Sequence, residues 1–354
     1  MRGGDEPRDE RRGRDETMSR REWLADGAKA GLGAAALGFG VGAGCEGPGT
    51  PPSLEERPPG PDDDLGPLPT RLLGRTGERV TILGLGTACM GEGPQSTDEC
   101  VRVFSEAIDR GVRYVDTARI YHNAETALGQ VLRTRREDVF LVTKCMTDSR
   151  EEAQKSFETS LRELQVESVD LLHLHSTGGR DIDQVLGAGG AWEYLLEMKR
   201  QGKTRFVGIT GHHRPANFVR MLETGQVDVM MVAMNFVDRH VYGFEDKVCP
   251  VALEKGTGVM GMKTFGGIRG GFRNNRTRQP SQMDPVFLQN AVRYSLALPG
   301  LTGVVIGVHD ELELRQNIRY VLNAAPLSEP EKKALEAHGA RLAEEWGPRF
   351  GSVS

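Results

Sequence analysis

Cysteine is scarce in this chain, five residues in 354, and no two of them stand in a C-x-x-C pair. That excludes a disulfide framework and leaves no cysteine cluster for zinc or an iron–sulfur centre, so no metal is expected. Charge of one sign is missing too: 45 Lys and Arg stand against 50 Asp and Glu, a net of −5. With no broad basic field to draw in phosphates, a nucleic-acid partner is excluded. No uncharged apolar run reaches the roughly 18 residues of a spanning helix. Mean hydropathy is −0.42, so a multi-span membrane protein is excluded as well. What is plentiful is glycine, 45 residues against a usual share of about 7 per cent.

Residues 1–17 are mostly Arg, Asp and Glu without apolar periodicity, and read as a disordered charged tail. Residues 18–46 have the layout of an export signal: a basic start, a short Ala/Gly-rich apolar stretch, then small residues. Ser19-Arg20-Arg21-Glu22-Trp23-Leu24 resembles the twin-arginine signal, with Trp23 in the aromatic slot. The resemblance implies the twin-arginine machinery as a partner. It also implies export by a folded-protein route to the periplasm or cell envelope, with Met18 or Met1 as the start. The competing reading is an Ala/Gly-rich amphipathic helix after a tail. Gly42-Ala43-Gly44-Cys45 is similar to a lipoprotein cleavage site, and Cys45 is either a membrane anchor or a thiol in a removed peptide. Residues 47–69 form a Pro-rich linker with the acidic run Asp62-Asp63-Asp64.

From residue 70 the pattern changes. Residues 70–86 read as a hairpin turning at Gly74-Arg75-Thr76-Gly77. Short apolar runs follow at 82–86, 114–117, 139–144, 169–175, 206–210, 227–235, 258–263 and 303–307. Amphipathic stretches near 97–109, 124–133, 151–164, 191–200, 215–223, 246–255, 285–297 and 310–322 alternate with them. Eight such units predict an α/β fold, a (β/α)8 TIM barrel over 70–325. A doubly wound open sheet would carry G-x-G-x-x-G after its first strand, and Gly84-Leu85-Gly86-Thr87 does not. Residues 326–354 are a C-terminal extra helix and tail, with the charged amphipathic helix Ser328–Trp346 expected outside the barrel or over its mouth.

In such a barrel the chemistry sits where the strands end. The second strand ends at Asp116 with Tyr121 five residues on, the third at Lys144, the fourth at His173-Leu174-His175. These predict an acid, a phenol, an ammonium and an imidazole at one mouth. A cation beside Tyr121 is expected to lower its pKa, with Asp116 holding Lys144 in place, so that the phenol serves as a general acid. His175 would donate to the same substrate oxygen. His173 faces the same side one layer deeper and reads as structural. No hydride source is present among these groups, so the reductant must be a bound cofactor.

Asp116-Thr117-Ala118-Arg119-Ile120-Tyr121, Lys144 and Asp170-Leu171-Leu172-His173-Leu174-His175 resemble the tetrad motifs of the aldo-keto reductase superfamily. Leu73-Gly74-Arg75-Thr76-Gly77 is similar to the hairpin that closes the barrel floor there. The resemblance implies reduction of an aldehyde or ketone, or the reverse alcohol oxidation, by hydride transfer from NADP(H) or NAD(H). Asp116, Tyr121, Lys144 and His175 are then the catalytic set. Thr87, Thr210, Gly211, Asn235, Met262, Lys263, Gly307, His309, Gln316 and Asn317 fall at cofactor positions. Several depart from the pattern: Thr210-Gly211 replaces Ser-Asn, Met231 replaces a glutamine, and Met262 takes an aromatic slot. The arginine that often holds a 2′-phosphate aligns with Glu313.

The Gly-rich segment 265–283 carries Arg269, Arg273, Arg276 and Arg278, and reads either as a clamp on the pyrophosphate or as a solvated loop. The amino terminus of the helix near 310 is expected to suit an adenosine phosphate. Cys89 and Cys145 follow the first and third strands, and read as packing thiols or as a redox pair. Two other functions stand beside the small-molecule carbonyl reductase. One is a cofactor-bound sensor or binding module with little turnover; the other is a binding protein for a polyol or sugar at the barrel mouth that uses no nicotinamide.

Overall fold

The computed structural model describes residues 65–271 and 277–354. The charged tail, the signal-like segment with Cys45, most of the linker, Arg273 and Arg276 lie outside the described residues. Strands β1 (Thr70–Leu72) and β2 (Arg79–Thr81) pair antiparallel. Eight more follow: β3 (Leu83–Gly86), β4 (Tyr114–Asp116), β5 (Phe140–Cys145), β6 (Val169–Leu174), β7 (Thr204–Gly211), β8 (Val229–Ala233), β9 (Gly258–Met262) and β10 (Leu301–Gly307). They close into a parallel barrel in chain order, β10 pairing with β3. The main helices are α1 (Thr97–Asp109), α2 (Ala124–Arg135), α3 (Arg150–Leu164), α4 (Ala191–Arg200), α5 (Pro215–Glu223), α6 (Cys249–Glu254), α7 (Leu288–Leu296), α8 (Glu311–Leu322) and α9 (Glu329–Trp346). Helix starts are written locally. Ser96 with Glu99, and Ser328 with Glu331, form reciprocal capping boxes at α1 and α9.

Side-chain alternation sorts each strand between two cores. On β5, Phe140 and Val142 point into the barrel, while Leu141 and Cys145 join the helix layer. The interior packs Leu73, Tyr114, Phe140, Val142, Leu171, Val229, Met231, Met260 and Val305. The barrel is therefore a filled core, and polar groups of the same parity surface only at its upper end.

The hairpin closes the opposite end. Leu73 is fully buried against the interior core. The Arg75 guanidinium donates to the carbonyls of Gly225, Val227 and Lys255, just before β8 and β9 begin. Gly74 has φ +51°, and a Cβ there would lie 2.2 Å from the Gly258 nitrogen. Only glycine lets the turn approach so closely.

α9 lies outside the barrel, where Leu335 joins Phe236, Met283 and Tyr294 in a satellite core. The residues after it come back over the mouth. Phe350 donates its backbone N–H to the Tyr242 hydroxyl at 2.8 Å, and Arg214 donates its own to the Ser352 carbonyl at 3.2 Å. The expected strand 227–235 stops at Ala233, because Asn235 turns into the segment that follows.

Candidate active site

Inward parity on β4, β5 and the end of β6 brings Asp116, Lys144 and His175 to one mouth, with Tyr121 in the connection after β4. Lys144 Nζ donates to Asp116 Oδ2 at 2.7 Å and to the Thr117 carbonyl at 2.7 Å. It lies 3.4 Å from the Tyr121 hydroxyl and 4.7 Å from that ring's centre. His175 stands edge-on to Tyr121 with ring centres 5.9 Å apart. Asp116 and Lys144 are 4 % and 1 % exposed, so the ion pair works in a low dielectric. Thr87 donates backbone and hydroxyl protons to the Asp116 carbonyl, both at 3.0 Å, and steadies the end of β4.

Burial sets the protonation states. It pulls the Lys144 ammonium below the ordinary lysine value and pushes the Asp116 carboxyl up, each against the attraction of its partner. Tyr121 corrects an expectation. Burial raises the phenol well above its ordinary value, and the Asp116 charge raises it further. The Lys144 ammonium, 3.4 Å from the hydroxyl, does not reverse this. At neutral pH the phenol therefore holds its proton, the state a proton donor needs. Burial, reinforced by Lys144, holds the His175 imidazole far below the ordinary histidine range, so it is neutral. His173 is fully buried beneath, where Gly208 leaves room for its ring, and burial takes it down to about 3.

A cavity of about 820 Å³ runs from Asp116, Tyr121 and His175 past Met262 and Lys263 to His309, Glu313, Gln316 and Asn317. That is toward the upper end for small-molecule and cofactor sites. Bare backbone lines one wall: Gly86 and Gly307 are paired across β3 and β10, and a Cβ on Gly307 would meet Cys89 Sγ at 2.7 Å. This glycine cradle beside the Lys263 ammonium fits a nicotinamide dinucleotide, with Met262 toward the tetrad. Thr87, Thr210, Gly211 and Asn235 lie behind the wall. Thr210 is fully buried, with its hydroxyl lacking a partner. Asn235 donates to Asp238 at 2.6 Å and to the Lys263 carbonyl at 2.9 Å, and accepts from the N–H groups of Val237 and Asp238. The bond to its carbonyl helps hold Lys263 at φ +57°.

The far end differs from expectation. The amino terminus of α8 already carries carboxylates: Asp310 accepts the Glu313 N–H at 2.9 Å, and Glu313 accepts from the His309 N–H at 2.8 Å. Burial pushes Glu313 up, but the His309 bonds prevail and hold it below its ordinary value. Arg278 folds back onto Asp310 and Glu313. Gly267, Ile268 and residues 279–282 of the Gly-rich segment line the cavity, and Ile268 pairs with Ser281. Cys89 lies in the cavity wall, whereas Cys145 is buried with its Sγ 3.6 Å from the Ala153 carbonyl of α3. Burial pushes these thiols up to about 11 and about 12, as befits packing groups.

Sequence reasoning missed the tail. Trp346, Arg349 and Phe350 line the cavity, with the guanidinium 4.3 Å from the centres of both rings. Arg349 also binds Asp238 at 2.8 Å and the Gly266 carbonyl at 3.0 Å. Phe350 lies 5.1 Å from the His212 ring. Ile120 and Met146 complete an apolar rim. The Trp-x-x-Arg-Phe spacing at 346–350 was the available signal.

A (β/α)8 barrel with Asp, Tyr, Lys and His at its mouth and a glycine-lined trough beside them defines the class of nicotinamide-dependent carbonyl oxidoreductases. The sequence pattern of the aldo/keto reductase family matches residues 82–287, and the chain belongs to that family. It is an NAD(P)H-dependent oxidoreductase. It is similar to an L-galactose dehydrogenase of Arabidopsis thaliana, 29% identical over 289 residues, covering 71% of this chain and 87% of that protein. A methylglyoxal reductase of Yersinia pestis is 33% identical over 142 residues, 39% of this chain and 48% of that one. Among solved structures, a putative aldo-keto reductase of Pseudomonas aeruginosa superposes with a TM-score of 0.58 at 25% identity, covering 72% of this chain and 95% of that one. A Klebsiella pneumoniae aldo-keto reductase in complex with NADPH shares the fold at a TM-score of 0.61 and 21% identity, over 76% and 94% of the two chains.

Proposed function

We propose that the chain reduces an aldehyde or ketone with Tyr121 as the proton donor, and that the same residues serve the reverse alcohol oxidation. The observation that carries this is the buried Lys144 ammonium, 2.7 Å from Asp116 and 3.4 Å from a phenol that keeps its proton. A bound nicotinamide supplies the hydride. The carbonyl oxygen is placed between the Tyr121 hydroxyl and the His175 ring, which orient it. As negative charge gathers on that oxygen, Tyr121 gives up its proton and the Lys144 charge offsets the phenolate left behind. The apolar rim of Ile120, Met146 and Phe350 keeps water from the reacting centre. The relatives' names make a sugar or a small dicarbonyl the first substrates to try.

The test is single-turnover oxidation of bound NADH or NADPH by a panel of aldehydes. Tyr121→Phe is expected to slow the step by about 10²–10⁴-fold. An unchanged rate in that variant would refute the role. A second reading, a cofactor-bound sensor, draws on Thr210-Gly211, which puts no amide-holding side chain at the wall. It predicts bound cofactor that no carbonyl in the panel oxidises.

Segment 18–46 supports a proposal about location: export through the twin-arginine machinery, with anchoring at Cys45. Cell fractionation tests the first and the mass of the envelope form the second: recovery of the chain only from the cytoplasm refutes export, and an envelope form without lipid at Cys45 refutes anchoring.

A further inference from the structure

Tyr121 sits on a connection, residues 117–121, while its lysine sits on β5. Proton transfer depends on the distance between the two, and a connection holds a distance poorly unless something ties it down. Lys144 supplies one tie through the Thr117 carbonyl. A second comes from a carboxylate that the catalytic scheme does not use.

Glu125 is fully buried in the first turn of α2. Its Oε1 accepts the Thr143 hydroxyl at 2.7 Å, and its Oε2 accepts the Arg119 guanidinium at 2.8 Å. Thr143 immediately precedes Lys144, facing outward where the lysine faces in. Arg119 lies two residues before Tyr121. Backbone bonds complete the brace: Tyr121 donates to the Ala118 carbonyl, and Ala124 donates to the Tyr121 carbonyl, both at 2.9 Å. A buried carboxylate is costly, and a well-packed apolar side chain would serve stability as well or better. Its partners here are the neighbours in sequence of the two residues whose spacing matters.

We propose that Glu125 is a positioning residue for proton transfer: its carboxylate ties β5, beside Lys144, to the segment that carries the Tyr121 phenol. The inference rests on the carbonyl-reductase reading above. The carboxylate also adds negative charge near Lys144 and favours its ammonium form, so position and charge separate by substitution. The other ionisable groups around Lys144 are Asp116, Glu92, Lys263, Tyr121, His173, His175 and His212, and the variants leave them in place.

Three variants are measured in the full chain: Glu125→Gln, Glu125→Asp and Arg119→Met. In Glu125→Gln, kcat is expected to fall about 10–100-fold while KM for the carbonyl stays within about two-fold. The alkaline limb of the pH profile moves to lower pH, because a neutral amide no longer favours the ammonium. Glu125→Asp keeps the charge but is one methylene short of spanning both partners. It leaves the limb in place and still lowers kcat. Arg119→Met cuts one arm of the tie at a partly exposed side chain, so it reports on position even if Glu125→Gln does not fold.

A readout independent of turnover is the ¹³C resonance of the Tyr121 ring, assigned by its loss in Tyr121→Phe. It is expected to shift in all three variants. If wild type turns over and the variants keep kcat, pH limb and ring resonance, losing only thermal stability, Glu125 is merely structural and the proposal fails. If wild type reduces no carbonyl, the functional reading fails, while the resonance still decides whether Glu125 holds the phenol.

Discussion

Replacing Asp116 by Asn keeps the shape of the side chain and an acceptor for Lys144, and removes one charge. The two charges stand 2.7 Å apart, and at an effective dielectric near 20 their gross attraction is roughly 6 kcal/mol. Part of that offsets the desolvation of Asp116 itself, so breaking the pair is expected to cost about 3–5 kcal/mol of folding stability. Lys144 limits the loss by shedding its proton, since burial already pulls its pKa down. Urea unfolding should therefore show a lowered midpoint with an unchanged slope. Carbonyl reduction should lose activity at a lower pH than in wild type. The double variant Asp116→Asn/Lys144→Met carries no orphaned charge and should be more stable than Asp116→Asn alone. A single variant within about 0.5 kcal/mol of wild type, or a double variant no better than the single, would refute the claim that Asp116 holds a buried ammonium in place.

Gly74→Ala places a Cβ against the β9 backbone at a positive φ, and is expected to cost more than about 1 kcal/mol; an unchanged melting temperature would remove the hairpin's role in closing the floor. His173 titrates near 3 in the folded chain, against 6.5 ordinarily. The unfolded chain then binds the extra proton between those values, and stability falls as pH drops through that window, by about 1.4 kcal/mol per unit. Urea midpoints at pH 6.5 and 5 measure this, and His173→Asn should flatten the slope. Arg349→Met removes the tail's contacts to Asp238 and Gly266. It should raise KM for the carbonyl several-fold and open the chain to protease after Trp346; a KM equal to wild type would mean the tail does not shape the pocket.

The barrel was legible because each strand is a short apolar run between glycine or capping signals, and a filled interior makes such runs unmistakable. The tetrad was legible because strand ends converge in this architecture, whatever the loops do. Tyr121's protonation was not, since burial and the Asp116 charge raise its pKa, and spacing does not encode burial. Asn235 reads as a cofactor contact from its position, and the structure adds its bonds to Asp238 and to the Lys263 carbonyl, which its position does not announce. Glu313 was recognised as an acid out of place, but not its bonds to His309 and Arg278. The tail escaped because its anchor, Asp238, lies 111 residues before Arg349, and the Trp-x-x-Arg-Phe spacing does not say what the tail packs against.

That anchor couples parts of the rim that look separate. Arg349 grips Asp238 and the Gly266 carbonyl, Asp238 shares Asn235 with the Lys263 carbonyl, and Phe350 hangs on Tyr242. The segments that follow β8 and β9 are thus tied to the tail after α9, and displacing any one of them means loosening several bonds at once. Opening of this rim is expected to slow ligand exchange. Two signs would reveal it: a rate that falls as the medium is made more viscous, and a burst of product in the first cycle.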